Sequence, residues 1–370
     1  MRLLVTGGTG FIGTPLCRTL VRHGHELLIL TRSRSPEVTL PGTRSVAWDA
    51  REWEQAISGV QGVINLAGEP LAAKRWSRGQ KRRITESRVQ TTRRLVDAIA
   101  ASSTKPSVLV SASAVGYYGN RADEPLTESS AAGSGFLAKT CQAWEAEAQR
   151  AEHVGVRVVR LRIGVVLGPG GGALAKMAPP FQLFLGGPLG SGRQWMSWVH
   201  RDDVIGLIEW ALTHPQLSGA VNATAPHPVT MRELCTCLGR VLHRPSWAPV
   251  PAMILRLGLG EMAELLLTGQ RVIPDTALRA GYVFRFDDVE RALEACVHPA
   301  SGGTADPAPL RPDLGALNHE LRTTIVAMRH ALSLLADQIA GPLTEEQQSF
   351  TAIIQRNLDR LEALLKDFSA

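Results

Sequence analysis

The residues with the clearest chemical purpose open the chain: Thr6-Gly7-Gly8-Thr9-Gly10-Phe11-Ile12-Gly13. Glycines at this spacing remove the side chains that would hold a ligand off the backbone. Amide N–H groups can then reach a pyrophosphate at the start of a helix, where the helix dipole favours negative charge. Gly7, Thr9, Gly10, Phe11, Ile12 and Gly13 are therefore candidate contacts to a dinucleotide. A second cue is expected about 20 residues further on, where an acid binds ribose hydroxyls in NAD sites and a basic residue accommodates a 2′-phosphate. The chain reads Thr31-Arg32-Ser33-Arg34, which favours NADP over NAD, with Arg32 the main candidate. An exposed loop arginine is the alternative.

These groups need elements to position them. Leu3 to Val5 reads as a buried strand before the glycines, and Pro15 to His23 as an amphipathic helix after them, with Gly24 as its cap. Strands are predicted at His25 to Thr31, at Ser45 to Trp48 ending on Asp49, and at Gly62 to Leu66 leading into Ala67-Gly68. A helix to about Ala101, a strand at Ser107 to Val110, a helix at Phe136 to Glu152 and a strand at Val156 to Leu161 follow. Alternating strands and helices predict an α/β fold, a Rossmann-like doubly wound parallel sheet that binds ligands at strand C-terminal ends. Asp49, Ala67 and Gly68 stand at such ends and join the cofactor candidates. From Gly168 the texture changes to loops rich in Gly and Pro, including Pro179-Pro180, broken by a helical pattern at Val204 to Thr213. Residues 168–297 are expected to form a smaller substrate lobe.

Composition narrows the classes. The 370 residues are 44% hydrophobic and 20% charged, enough for a sizeable core and more than one domain. No apolar run is long enough for a membrane span, and the first residues pass straight into a strand pattern without a cleavable leader, so a cytoplasmic protein is expected. Five cysteines without a spaced framework read as reduced structural thiols, and no metal site is predicted. The formal charge is +6, and Lys74 to Arg94 holds nine basic residues against one acid, Glu86. That run lies on a helical pattern with no interleaved stacking aromatics beyond Trp76, so a solvated face or an anion-facing entrance is expected rather than a nucleic-acid surface.

Residues 298–312 are rich in Pro, Gly, Ala and Ser and read as a linker. Beyond it Leu314, Leu321, Ile325, Met328, Leu332, Leu335 and Ile339 mark one helical seam. Gly341-Pro342 interrupts it, and Phe350 to Phe368 marks another. Two antiparallel helices with one seam each cannot bury both alone, so 313–370 is predicted to be an all-α hairpin that pairs with a second copy into a four-helix bundle.

Several ordered motifs resemble extended short-chain dehydrogenases/reductases: Thr6 to Gly13, Asn65 to Gly68, Ser111 to Gly119, Leu161 to Pro169 and Trp198 to Asp203. Pro251 to Leu293 is similar to the C-terminal domain of unknown function found in an epimerase-family branch. The resemblance implies an NADP-binding oxidoreductase or epimerase-like enzyme acting on a small, sugar-nucleotide or otherwise anionic, substrate. Ser113 matches the family's polarising serine, and Arg162, Trp198 and His200, within the resembling motifs, are the substrate candidates, although the aromatic and ionisable groups of Trp195 to Asp203 can build a pocket wall or merely fix a loop. The usual Tyr-x-x-x-Lys pair should lie near Gly135 to Cys141, where no tyrosine occurs. Lys139 is the nearest candidate lysine, and Tyr118 with Tyr117 the nearest phenols.

Asn318-His319-Glu320-Leu321-Arg322-Thr323 resembles the phosphoacceptor box of sensor histidine kinases, and Gln355 to Ser369 the second helix of that dimerisation domain. His319 is then the phosphoacceptor, Glu320 a proton acceptor beside it and Thr323 a group positioning water. Thr324 stands where family members usually carry proline, and no ATP-binding segment follows in the chain. The resemblance therefore implies phosphate arriving from a separate kinase or response regulator. Two function classes follow. One is an NADP-dependent enzyme with a dimerising tail, and the other a redox-sensing signalling protein in which cofactor occupancy biases His319.

Overall fold

A computed structural model describes residues 1–32, 42–49 and 52–298, together with 355 and 359. The chain divides into two units, Met1–Gly303 and Thr304–Ala370. Ser33 and Arg34, the linker, the hairpin seams and His319, Glu320 and Thr323 lie outside the described residues.

The first unit is built on seven parallel strands, β1 (Arg2–Thr6), β2 (Glu26–Thr31), β3 (Thr43–Ala47), β4 (Gly62–Asn65), β5 (Val108–Ala114), β7 (Arg157–Ile163) and β11 (Gly219–Ala223). A short β6 (Pro125–Leu126) intervenes outside that sheet. The order is β11-β7-β5-β4-β1-β2-β3, so the chain reverses direction beside β1, and the carboxyl ends of β1 and β4 open a crevice there. Four helices cross between strands in this half: α1 (Gly13–Arg22), α2 (Glu52–Ala56), α3 (Arg78–Ala101) and α4 (Phe136–Gln149). The strands are apolar on both faces because helices cover both. Leu3, Val5, Leu27 and Ile29 join one core cluster with α1, whereas Leu4, Leu28 and Leu30 join another with Leu95, Val96 and Ile99 of α3. That division is the two-residue alternation of a strand sorted between two layers. Gly24, at φ +78, closes α1 in the left-handed region that an L side chain resists.

The rest of the unit comprises β8 (Val165–Leu167), α5 (Leu174–Gln182), β9 (Trp195–Met196), β10 (Trp198–His200), α6 (Arg201–Thr213), β12 (Val229–Thr230), α7 (Met231–Val241), α8 (Ala252–Leu259), α9 (Glu264–Leu267), β13 (Arg271–Val272), α10 (Asp275–Arg279) and α11 (Val289–Val297). Leu174, Phe181, Trp198, Met231, Leu234, Leu238, Val289 and Leu293 form its own core. The lobe is interleaved with the sheet rather than appended to it, because β11 pairs with β7 and α6 packs beneath the central strands.

The expected loop across Pro179-Pro180 is instead helical, as α5. Two prolines remove two helix hydrogen bonds. Leu174, Ala178 and Phe181 nevertheless share a buried face, and Gly186 packs so closely on Phe181 that a Cβ there would meet the ring at 2.2 Å. Burial of that anchor outweighs the lost bonds.

Candidate cofactor crevice and buried polar hub

The glycine turn is shaped by close approach. A Cβ on Gly13 would stand 2.0 Å from the Gly7 carbonyl oxygen, and one on Gly7 would stand 2.7 Å from the Leu66 carbonyl carbon. Gly7 also has φ +70. The Gly10 amide donates to the Gly7 carbonyl at 3.0 Å and the Thr14 amide to Gly10 at 2.9 Å, which closes the turn on itself. The amides of Phe11 and Ile12, just ahead of α1, have no acceptor among the described residues. Free donors at a helix N-terminus, with no side-chain cap, are what an anionic pyrophosphate requires.

The crevice rim carries the other cofactor candidates. Thr6 donates its hydroxyl to the Asn65 side chain at 2.7 Å and accepts from the Ala67 amide at 3.2 Å, tying β1 to the segment after β4. Ala67 and Gly68 are thereby held against the glycine turn. Arg32 follows β2 with its side chain 87% exposed, 3.8 Å from the Glu69 carboxylate. Asp49 lies exposed beyond β3. The Phe11 ring enters a glycine loop on the lobe side, where Cβ atoms on Gly171 and Gly172 would each meet it at 2.7 Å, and the Arg201 guanidinium covers it at 5.2 Å.

A different arrangement surrounds Ser113. Its hydroxyl donates to Glu145 of α4 at 2.7 Å, and Glu145 is held by Arg162 through two bonds of 2.8 and 2.9 Å, with Arg160 at 3.2 Å. Arg162 also donates to the Tyr118 hydroxyl at 2.9 Å, and that hydroxyl donates to Asn222 at 2.7 Å. Asn222 is fixed in turn by Glu128 and by the Ile273 carbonyl. Burial works against the Arg162 charge, but its hydrogen bonds and attraction to Glu145 win and hold the guanidinium above its ordinary value. Burial pushes the Tyr118 phenol up to about 12, against the pull of Arg162.

Of the candidate proton-transfer groups, Ser113 and Tyr118 share the hub and Lys139 stands outside it. Tyr118 is fully buried, with its proton given to Asn222 and its oxygen taken by Arg162, and Ser113 is 3% exposed. Lys139 stands exposed on α4. Of the substrate candidates, Arg162 belongs to the hub, and Trp198 is a core residue whose indole donates to the His227 carbonyl at 3.0 Å. His200 caps α6, its Nδ1 accepting from the Asp202 amide at 3.1 Å while its ring lies 4.0 Å from Phe286. Burial lowers His200 to about 4, so it is neutral at pH 7. All five cysteines are free and buried.

Glu145 escaped the sequence reading, although a signal existed. It lies on one helical stripe with Ala138, Cys141 and Ala148, and an acid on an apolar stripe is an acid that must have a buried partner. Asn222 and Glu128 offered no comparable pattern.

Comparison with known proteins agrees with this geometry. Residues 3–223 match the NAD dependent epimerase/dehydratase family, residues 250–296 a domain of unknown function, and residues 314–370 the His Kinase A phospho-acceptor domain. A chloroplastic epimerase family protein, an SDR39U1 homolog of Arabidopsis thaliana, is 46% identical over 303 residues, covering 80% of this chain and 86% of its own. Human epimerase family protein SDR39U1, solved with NADPH, superposes with a TM-score of 0.73 at 35% identity, covering 80% of this chain and 99% of that one. A nucleoside-diphosphate sugar epimerase from Corynebacterium glutamicum gives a TM-score of 0.64 at 28% identity, covering 100% of this chain and 68% of that one. A parallel sheet reversing at β1, a glycine turn at that reversal and these matches place the chain in the NAD dependent epimerase/dehydratase family of short-chain dehydrogenases/reductases, with a phospho-acceptor domain match at its C-terminal end.

Proposed function

We propose that the first unit binds NADP(H) across the β1/β4 crevice and acts as an oxidoreductase or epimerase-like enzyme on a small substrate, a sugar nucleotide being one class that fits. The observation that carries this reading is the fit of the turn to a dinucleotide: glycines where a Cβ would collide, beside free Phe11 and Ile12 amides. Those amides and Thr9 would hold the pyrophosphate, and Arg32, extended and exposed past β2, would meet a 2′-phosphate. The NADPH held by the human relative supports the choice between the two nucleotides, and the name of the C. glutamicum relative supports the sugar-nucleotide class. When bound, the nicotinamide supplies hydride donation or acceptance. The protein's part is to orient it and exclude water.

Arg32 gives the direct test. Arg32→Asp should weaken NADPH binding by about tenfold or more while leaving NADH binding within about twofold, as read by fluorescence titration. Unchanged NADPH affinity would remove Arg32 from the site.

A second reading is favoured by the committed hydroxyls of Ser113 and Tyr118 together with the phospho-acceptor match. In it, NADP(H) occupancy biases a dimeric His319 hairpin that exchanges phosphate with a separate kinase or response regulator. NADPH consumption over a panel of carbonyl substrates separates the two readings. Turnover supports the enzyme; tight binding without turnover, plus phosphohistidine at His319 from a cognate kinase, supports the sensor.

A further inference from the structure

Arg88, on α3, belongs neither to the buried hub nor to the glycine turn. Its guanidinium lies against Gly68, where a Cβ would stand 3.0 Å from Cζ. It therefore faces the segment that β1 and β4 jointly hold beside the dinucleotide turn. One of its amine groups donates to the Ile84 carbonyl at 3.0 Å, and its Cζ lies over the Trp144 ring, 5.3 Å from the centroid. Trp144 is itself fixed, its indole donating to Thr92 at 2.9 Å, and Asn65 donates to that same hydroxyl. The platform under the guanidinium is rigid.

Among the described residues no carboxylate pairs with Arg88, and Glu69 lies instead 3.8 Å from Arg32. Partial burial disfavours its charged form, and the nearby Glu69 does not offset that. A half-buried guanidinium with spare N–H groups is a receptor for an anionic oxygen, because paired N–H donors match a carboxylate or phosphate.

Position decides which anion. Glycine turn and Arg32 occupy the β1-β2-β3 half of the sheet, the half suited to the pyrophosphate and 2′-phosphate. Arg88 faces the β4-β5 half, where the nicotinamide and its reaction partner would lie. One helical turn before it, Ile84 belongs to an apolar wall with Trp76, Phe136, Leu137 and Met262. Thr85, next to Ile84, shares a 3.0 Å hydrogen bond with Thr140 of α4, which lies one turn past Phe136 and Leu137 and one turn before the Trp144 ring under Arg88. Charge and apolar wall are therefore contiguous.

The geometry points to Arg88 as a substrate anchor: its free N–H groups bind an anionic oxygen of the substrate, whose apolar body packs on Phe136 and Leu137, the partly exposed members of that wall. The substrate class is thus a small carboxylate or phosphate ester with an apolar portion. The inference rests on the cofactor reading above for its placement, and it supplies a fixed positive charge in a chain without the Tyr-x-x-x-Lys pair.

The test uses the full chain saturated with NADPH, titrated with benzoate and with its neutral analogue benzamide, followed by tryptophan and NADPH fluorescence. Benzoate should bind at least about tenfold more tightly than benzamide, and Arg88→Gln should bring that ratio near one with NADPH affinity changed less than about twofold. Arg88→Lys, which keeps the charge without the planar fork, should retain part of the ratio. Arg88→Met, whose stem still packs on Trp144, replaces the Gln variant if that variant melts below assay temperature. Equal binding of both probes by the wild type, or an unchanged ratio in the variant, overturns the assignment. A tenfold or greater loss of NADPH affinity in Arg88→Gln also overturns it, by giving the guanidinium to the cofactor's phosphates. If the wild type fails to bind NADPH, the cofactor reading fails, and the benzoate-to-benzamide ratio of the cofactor-free chain then decides Arg88 by itself.

Discussion

The glycine turn and the hub around Glu145 are both dense in polar groups near strand C-terminal ends, yet they are opposites. At the turn, the Phe11 and Ile12 amides have no partner among the described residues, and the side chains that would obstruct a ligand are missing. In the hub, the Ser113, Tyr118, Arg162 and Glu145 side chains are engaged with one another and closed to solvent. Residue type proposes chemistry in both places, but only the first has capacity to spare for a ligand. The second holds β5, β7, β11 and α4 together.

If that division is right, damage to the two regions should be read by different instruments. The largest stability effect belongs to the hub. Glu145→Ala leaves the Arg162 charge buried without its partner, which costs about 3–5 kcal/mol; denaturant unfolding should show it, and a loss under about 1 kcal/mol would mean that the ion pair is not holding the strands. Next comes Gly13→Ala. Its methyl group cannot sit 2.0 Å from the Gly7 oxygen, so the helix start must move, at about 1–3 kcal/mol and with NADPH affinity falling about 100-fold. A variant that still binds NADPH like the wild type would sever the turn from the cofactor.

A smaller effect tests the lobe boundary. His200 is lowered by burial to about 4 from an ordinary 6.5, so the folded state binds fewer protons than the unfolded one between those values. Stability from this group is present above pH 6.5 and is lost as pH falls toward 4. At pH 5 the loss is about 2 kcal/mol at most. His200→Asn keeps a helix-capping acceptor for the Asp202 amide without the titration, so lowering the pH from 7 to 5 should cost the variant up to about 2 kcal/mol less stability than it costs the wild type. The buried Asp203, raised to about 6 by burial, acts in the opposite direction over the same range and remains in both proteins, so the comparison isolates the histidine. Equal pH dependence in the two proteins would contradict that account.

What sequence alone disclosed follows the same line. The strands, the glycine turn and the helix after it were legible because each depends on local spacing: alternation in Leu3 to Val5, glycines before Pro15, a cap at Gly24. Strand ends shifted by a few residues, as with β3 at Thr43–Ala47, because edge pairing with β2 set them. Helix α5 was hidden because two prolines argue locally against it, while its support comes from Phe181 packing against Gly186. The hub was hidden for a stronger reason. Tyr118 and Asn222 are 104 residues apart and Glu128 and Thr276 are 148 apart, so no periodicity joins them. Ser113 and Tyr118 read as candidate catalysts because type and motif were visible and their partners were not.

The central claim is that the crevice is available to ligand while the hub is structural, and Tyr118→Phe tests it most directly. The substitution removes the hydroxyl that joins Arg162 to Asn222 and preserves the ring. The account predicts a stability loss of about 1–2 kcal/mol by denaturant unfolding, with NADPH affinity and any NADPH-dependent turnover within about twofold of wild type. A variant of unchanged stability whose turnover collapses would contradict it, and would return the phenol to the chemistry.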